Sequence, residues 1–248
     1  MKKGEKPKNI FYKVKFIIIG NQYVGKTNLI HRFSTGEFKN DYSITLGIDF
    51  LSHFIVADKK TFKLELWDTA GSEKYRSITK GYYNNSTCAL IVYDITNELS
   101  FSSVTSWIED CKNSTNKNIN LVLVGNKCDL KDKRVVSEED GKILAEKYGM
   151  SFYESSALDG TNIDSIFFDA CRVISKNIDS GKYDLDDDSY GIKKCEATEE
   201  LPINKRSFTS NYDNDDDNKL NKNIFKKKKK MLLNSKKFLI FIFFNQKN

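Results

Sequence analysis

The apolar run Val14-Lys15-Phe16-Ile17-Ile18-Ile19 leads without a break into Gly20-Asn21-Gln22-Tyr23-Val24-Gly25-Lys26-Thr27. This junction constrains the chain more than any other part of it. A short apolar run ending in glycine reads as a buried strand, and the pattern G-x-x-x-x-G-K-T after it requires a tight loop that opens directly into a helix. Backbone N–H groups from Gln22, Tyr23, Val24, Gly25, Lys26, Thr27 and Asn28 then gather at a helix N-terminus, where positive potential is concentrated. Phosphate suits such a loop. Lys26 has the reach for outer phosphate groups, and the Thr27 hydroxyl suits a divalent cation. The plain alternative is a chance glycine turn in front of a helix.

Further apolar runs end in the same way: Phe62 to Trp67 before Asp68, Ala89 to Tyr93 before Asp94, Leu121 to Val124 before Gly125, and Ser151 to Tyr153 before Glu154-Ser155-Ser156. Helix-like stretches lie between them at Lys26 to Phe33, Ser100 to Cys111, Ser137 to Tyr148 and Asn162 to Ile178. In the last, Ile163, Ile166, Phe167, Ala170, Val173 and Ile174 share one face, and Thr161 with Asp164 is placed as a capping box. Alternating strands and helices predict an α/β fold, a six-stranded, mostly parallel sheet flanked by helices, with its ligand site at the carboxyl ends of the strands. Phe50 to Val56 and Phe62 to Trp67, joined by Asp58-Lys59-Lys60, read as a hairpin that makes one edge antiparallel. Five cysteines without metal-ligand spacing and no secretory signal before Val14 point to a reducing cytosol.

Two more loops carry chemistry. Asp68-Thr69-Ala70-Gly71 comes after a strand, so that Asp68 can hold a cation through water and the Gly71 N–H can approach a terminal phosphate. Gly125-Asn126-Lys127-Cys128-Asp129 leaves another strand. Its Asp129 carboxylate matches the N1–H and 2-amino donors of guanine, a pair that adenine lacks, while Asn126 and the stem of Lys127 can wall the pocket. Ser156-Ala157 can offer a backbone N–H to the base oxygen. A wrong base leaves buried polar groups unpaired, which makes such a site selective. Taken singly, each loop is as well explained as a solvated turn. In this order they point to a guanine nucleotide, GTP or GDP, with Mg²⁺.

With these loops in this order the sequence resembles the Ras superfamily and, within it, the Rab family, over about Tyr12 to Ile178. The Rab-like stretches are Leu46-Gly-Ile-Asp-Phe50, Lys63-Leu-Glu-Leu-Trp67, Tyr75-Arg-Ser-Ile-Thr79, Tyr82-Tyr83 and Ala89 to Thr96. The resemblance implies that Thr45 meets Mg²⁺ and the γ-phosphate together with Thr27 and Asp68, and that Phe38 lies against the guanine. It also places Tyr42 and Leu158 at the nucleotide, and Lys26, Thr45 and Gly71 at the hydrolytic centre. Phe50, Trp67 and Tyr82 would form an aromatic patch read by effectors; ordinary core packing is the even alternative, since large aromatics usually bury. Implied partners are an exchange factor, a TBC-type activating protein and effectors on endomembranes, with no nucleic acid.

Three departures qualify the resemblance. Ser72 stands where a water-orienting glutamine is usual, so slow intrinsic hydrolysis is expected, and a GTP-binding scaffold with negligible turnover is the competing reading. Leu158 replaces the usual lysine after Ser-Ala and keeps only an apolar contact. The third departure is the tail. Residues 1–11 read as a flexible start, 12–178 as the GTPase domain and 179–248 as a low-complexity, disordered tail. Asp184 to Asp188 and Asp213 to Asp217 are acidic, and from Leu220 onward there is no acidic residue. Lys226 to Lys230 and Phe238 to Phe244 would suit an anionic membrane surface. A solvated charge run, a nuclear-localisation patch and a translated non-coding extension remain open for this stretch. Neither the usual prenylated cysteines nor a myristoylation glycine is found.

Overall fold

The structure is a computed structural model that describes residues 9–40, 45, 47–72, 76–197, 199 and 201–202. All of the described residues belong to one unit. Tyr42, Leu46 and Tyr75, and the tail from residue 203 with its lysine and apolar clusters, lie outside the described residues.

Strand β1, Asn9–Ile19, is central. Its far half is buried on both faces, with Val14, Phe16 and Ile18 in one apolar cluster and Ile17 and Ile19 in the other. This is why the sequence shows a continuous apolar run there rather than alternation. β1 pairs in parallel with β3, Lys60–Thr69, and with β4, Cys88–Asp94. β4 continues in parallel to β5, Asn120–Asn126, and β6, Ser151–Ser155, while β2, Ile48–Ala57, lies antiparallel to β3 at the edge. The hairpin turns at Asp58 and Lys59, both at positive φ, between the paired residues Ala57 and Lys60. That is the two-residue turn whose twist matches flanking strands.

Helices α1, Lys26–Thr35, and α6, Ile163–Asp179, cover one face, where Phe33 stacks on Phe167 at 3.9 Å between ring centres. The other face is covered by α4, Val104–Ser114, and α5, Glu138–Tyr148. The single helix expected over Ser100 to Cys111 is two, α3 at Glu98–Ser102 and α4, meeting at Ser103. A short α2, Arg76–Lys80, was not expected. The capping box expected at Thr161 is also absent: Asn162 is the N-cap in a left-handed conformation, and the Thr161 hydroxyl instead donates to Asp159 at 2.6 Å.

The largest correction concerns the ends of the domain. Among the described residues the sheet has seven strands, because β7, Ile192–Ala197, pairs antiparallel with Asn9–Val14 of β1. β4 reaches only Phe16–Ile19 of β1, which leaves the near half of that edge open. Unpaired strand N–H and C=O groups invite a partner, and β7 supplies it. The segment between α6 and β7 is anchored by Tyr183 and Tyr190, rings 5.3 Å apart, and by the Asn116 amide, which donates to the Ser189 hydroxyl at 2.7 Å. Among the described residues the fold therefore continues past α6 to Ala197, into the stretch expected as tail.

Candidate functional site

Strands β1, β3, β4, β5 and β6 all point their carboxyl ends the same way, and every chemistry-bearing loop of the sequence lies there. Gly25 is the N-cap of α1 at φ 95°, a conformation that L side chains resist. The Asn126 amide sits where a Cβ on Gly25 would be. That amide donates to the Val24 carbonyl at 2.8 Å and its oxygen accepts from Ser155 at 3.2 Å, so Asn126 is a buried tie between the first loop, β5 and β6.

Lys26 is buried, and its ammonium donates to the Gly20 and Asn21 carbonyls at 3.0 and 2.9 Å. Burial lowers its pKa to about 8, with the nearby Asp68 carboxylate acting in the opposite direction. Asp68 is pushed up by its own burial, against hydrogen bonds from Thr27 and Thr45 and the charge of Lys26. Both groups are thus held away from their comfortable charged states. An anion over the loop and a cation beside Asp68 would relieve them.

The hydroxyls of Thr27 and Thr45 lie 2.8 Å apart; Thr27 donates to Asp68 Oδ2 at 2.5 Å and Thr45 to the same oxygen at 3.4 Å. Asp68 Oδ1 is buried without a hydrogen-bond partner among the described residues. Two hydroxyls and a carboxylate form a hard-oxygen donor set that fits Mg²⁺. Among the described residues no cluster of three His, Cys, Asp or Glu offers another metal site. A cation bound there supplies neutralisation of charge on phosphate oxygens. Thr27→Asn is expected to weaken GTP binding about tenfold or more relative to GDP, since a hydrogen bond to a charged partner is worth roughly 1.5–3 kcal/mol. Equal retention of GTP by this variant, measured by displacement of labelled nucleotide, would remove Thr27 from the metal set.

Gly71 sits hard against the Asn21–Gln22 peptide: a Cβ there would lie 2.5 Å from Asn21 C and O and from Gln22 N. Only glycine brings the Asp68–Gly71 loop onto the glycine-rich loop before α1. Ser72 comes next, 7% exposed. On the other side, Lys127 at φ 66° donates to the Tyr23 carbonyl at 2.8 Å and pairs with Asp94 at 2.6 Å. The Cys128 N–H donates to Ser155 O at 3.0 Å, and together these contacts fix the turn that carries Asp129. Ser156 and Ala157 are buried beside it, Leu158 is exposed and Phe38 is half-buried. Asp94 and the Arg134–Glu154 pair, bidentate at 2.5 and 2.7 Å, were not anticipated as supports. An acid at the end of the β4 strand was the available signal for the first.

The expected aromatic trio is contiguous. Phe50 meets Trp67 edge-on at 5.2 Å and Trp67 meets Tyr82 at 5.7 Å, with Phe50 48% and Tyr82 41% exposed. Core packing therefore does not account for Phe50 and Tyr82.

A glycine loop under a helix N-terminus, a hard-oxygen trio and a base-edge loop, all at the carboxyl ends of parallel strands, define a P-loop nucleotide-binding protein. A model of the Ras family matches residues 15–176, and the chain belongs to that family. It is a small GTPase, a switch governed by guanine nucleotide. Members of the family bind guanine nucleotide with Mg²⁺ and act with exchange factors, activating proteins and effectors.

Proposed function

We propose that this GTPase is a Rab-like regulator of vesicle and membrane traffic, acting from the cytosol on the cytoplasmic face of endomembranes. The observation that carries the reading is the Phe50–Trp67–Tyr82 patch, in which Phe50 and Tyr82 are exposed on either side of a half-buried Trp67 and which spans β2, β3 and the turn after α2 beside the Thr45 and Gly71 loops. An aromatic cluster next to phosphate-sensing loops is a surface that a partner can read as a function of the nucleotide. Phe50→Ala with Tyr82→Ala should abolish GTP-dependent capture of effectors and leave nucleotide binding intact. Undiminished capture by the double variant would remove this patch from the effector surface.

In the proposed mechanism GTP binds with Lys26, Thr27 and the loop N–H groups on its phosphates and Asp129 and Ala157 on its base. Water then attacks the γ-phosphate in line, with Lys26 and backbone N–H groups stabilising the charge that develops. Ser72 has neither the length nor the second polar group to orient that water. Intrinsic turnover is accordingly slow, and a TBC-type protein supplies the missing groups in trans. An arginine finger of that kind is worth about 10³ to 10⁵ in rate. Ser72→Gln should raise intrinsic single-turnover hydrolysis while leaving activated hydrolysis nearly unchanged. Fast hydrolysis by the parent, insensitive to Ser72→Gln and Ser72→Ala, would show that this position does not limit the chemistry. The scaffold reading is favoured instead if no activator raises the rate.

A further inference from the structure

Helix α4 touches both ends of the site through three of its residues. The Trp107 indole N–H donates to Asn21 Oδ1 at 2.7 Å, and the Asn21 amide donates to the Ser103 hydroxyl at 3.1 Å. Asn21 also supplies the carbonyl that accepts from Lys26 and the peptide on which Gly71 rests. From the other direction, the Arg76 guanidinium lies 4.5 Å over the Trp107 ring and donates to Asp110 at 2.5 Å and to the Ser106 hydroxyl at 2.7 Å. Lys80 joins the same carboxylate at 2.8 Å. Gly71 thus rests on Asn21 while Arg76 and Lys80 are held on α4, and one indole connects the two contacts.

We infer that Asn21 and Trp107 are positioning residues that couple the hold of Arg76 on α4 to the hold of Lys26 on nucleotide, so that releasing Arg76 speeds GDP release. Neither residue need touch nucleotide. Asn21 holds its own peptide still, and that peptide orients the Lys26 ammonium. Trp107 is 3% exposed and one face of its ring is covered by Arg76, so loss of the guanidinium frees the indole to shift away from Asn21. A partner that draws Arg76 and Lys80 off Asp110 would loosen Lys26 by this route, and the coupling must run both ways. The inference rests on the P-loop being the guanine-nucleotide site.

The test is a double-mutant cycle on the full chain, read as the release rate of fluorescent GDP. Asn21→Ala and Trp107→Phe should each accelerate release about three- to tenfold, the range expected for one hydrogen bond. The pair together should do no more than Asn21→Ala alone, because that substitution already removes the bond to Trp107 along with the one to Ser103. Arg76→Ala should accelerate release in the parent and have no effect in the Trp107→Phe background. If the tryptophan variant does not fold, Ser103→Ala, which removes the other side-chain bond of Asn21 together with the Ser103 hydroxyl's own bond to the Leu99 carbonyl, should still speed release by a smaller factor. Unchanged release in Asn21→Ala, or factors that multiply in the double variants, overturns the coupling. Failure of the parent to bind GDP would overturn the nucleotide site itself, which is a separate result.

Discussion

Asp129→Asn is expected to lower affinity for GDP and GTP by about 10²- to 10⁴-fold and to favour xanthine nucleotides over guanine. A carboxylate accepts from both N1–H and the 2-amino group, whereas an amide has one acceptor oxygen and turns a donor toward a donor. Two hydrogen bonds to a charged group are worth about 3–6 kcal/mol, which gives the stated range. Xanthine carries a carbonyl in place of the amino group, so the same amide N–H finds an acceptor. The turn itself should survive, because its place is set by the Cys128 N–H on Ser155 and by Lys127 on Tyr23 and Asp94, none of which involves Asp129. Competition of labelled GDP against GTP, XTP and ATP measures all of this. Displacement by ATP as effective as by GTP in the parent, or parental GDP affinity in the variant, would refute the assignment of Asp129 to the base.

The site was legible in the sequence because each of its loops is a contiguous string with a backbone requirement. Gly25 and Gly71 are needed where another segment presses on their Cα, and Lys26, Thr27 and Asp68 are located by strand ends that apolar runs disclose. What joins these loops was not legible. Asn126, read as a wall residue, also ties β5 to Val24; Asn21, at an unspecified position of the G-x-x-x-x-G-K-T pattern, bonds Trp107, 86 positions away. Such side-chain bonds depend on register and helix rotation, which no local pattern encodes. Helix boundaries failed for a related reason. At Thr161 the hydroxyl had a nearer acceptor in Asp159 than any helix N–H, and local side-chain bonds of this kind compete with capping.

The end of the domain was misread because composition outweighed topology. Asp184 to Asp188 are acidic and Ile192–Ala197 buries only Ile192, so neither apolar periodicity nor alternation marks the segment as part of a core. Its stability is borrowed from an edge that was already there. β1 is longer than β4, and whatever backbone can pair with Asn9–Val14 gains a ladder of hydrogen bonds at little demand on side chains.

A chain ended after Ser180 is therefore expected to be less stable than the full chain by about 4–6 kcal/mol, whereas one ended after Pro202 should match it. The estimate comes from two side chains. Tyr183 is 4% exposed and Ile192 1%, and both belong to the cluster around Phe16 and Phe167; burial of residues this size is worth roughly 1.5–3 kcal/mol each. The shorter chain also reopens the edge of β1 and leaves a cavity above α6, which brings the loss to the upper part of the range. For a domain of this length the melting temperature should fall by roughly 10–20 °C. Tyr183→Ala in the full chain should reproduce about half of the effect, separating the core contribution from that of the strand. β7 pairs with the end of β1 remote from Gly20, so any shortened protein that still folds should keep its preference for GDP over ATP. Equal melting temperatures for the two truncations would mean that residues 181–202 contribute nothing to the core, and the domain would then end with α6.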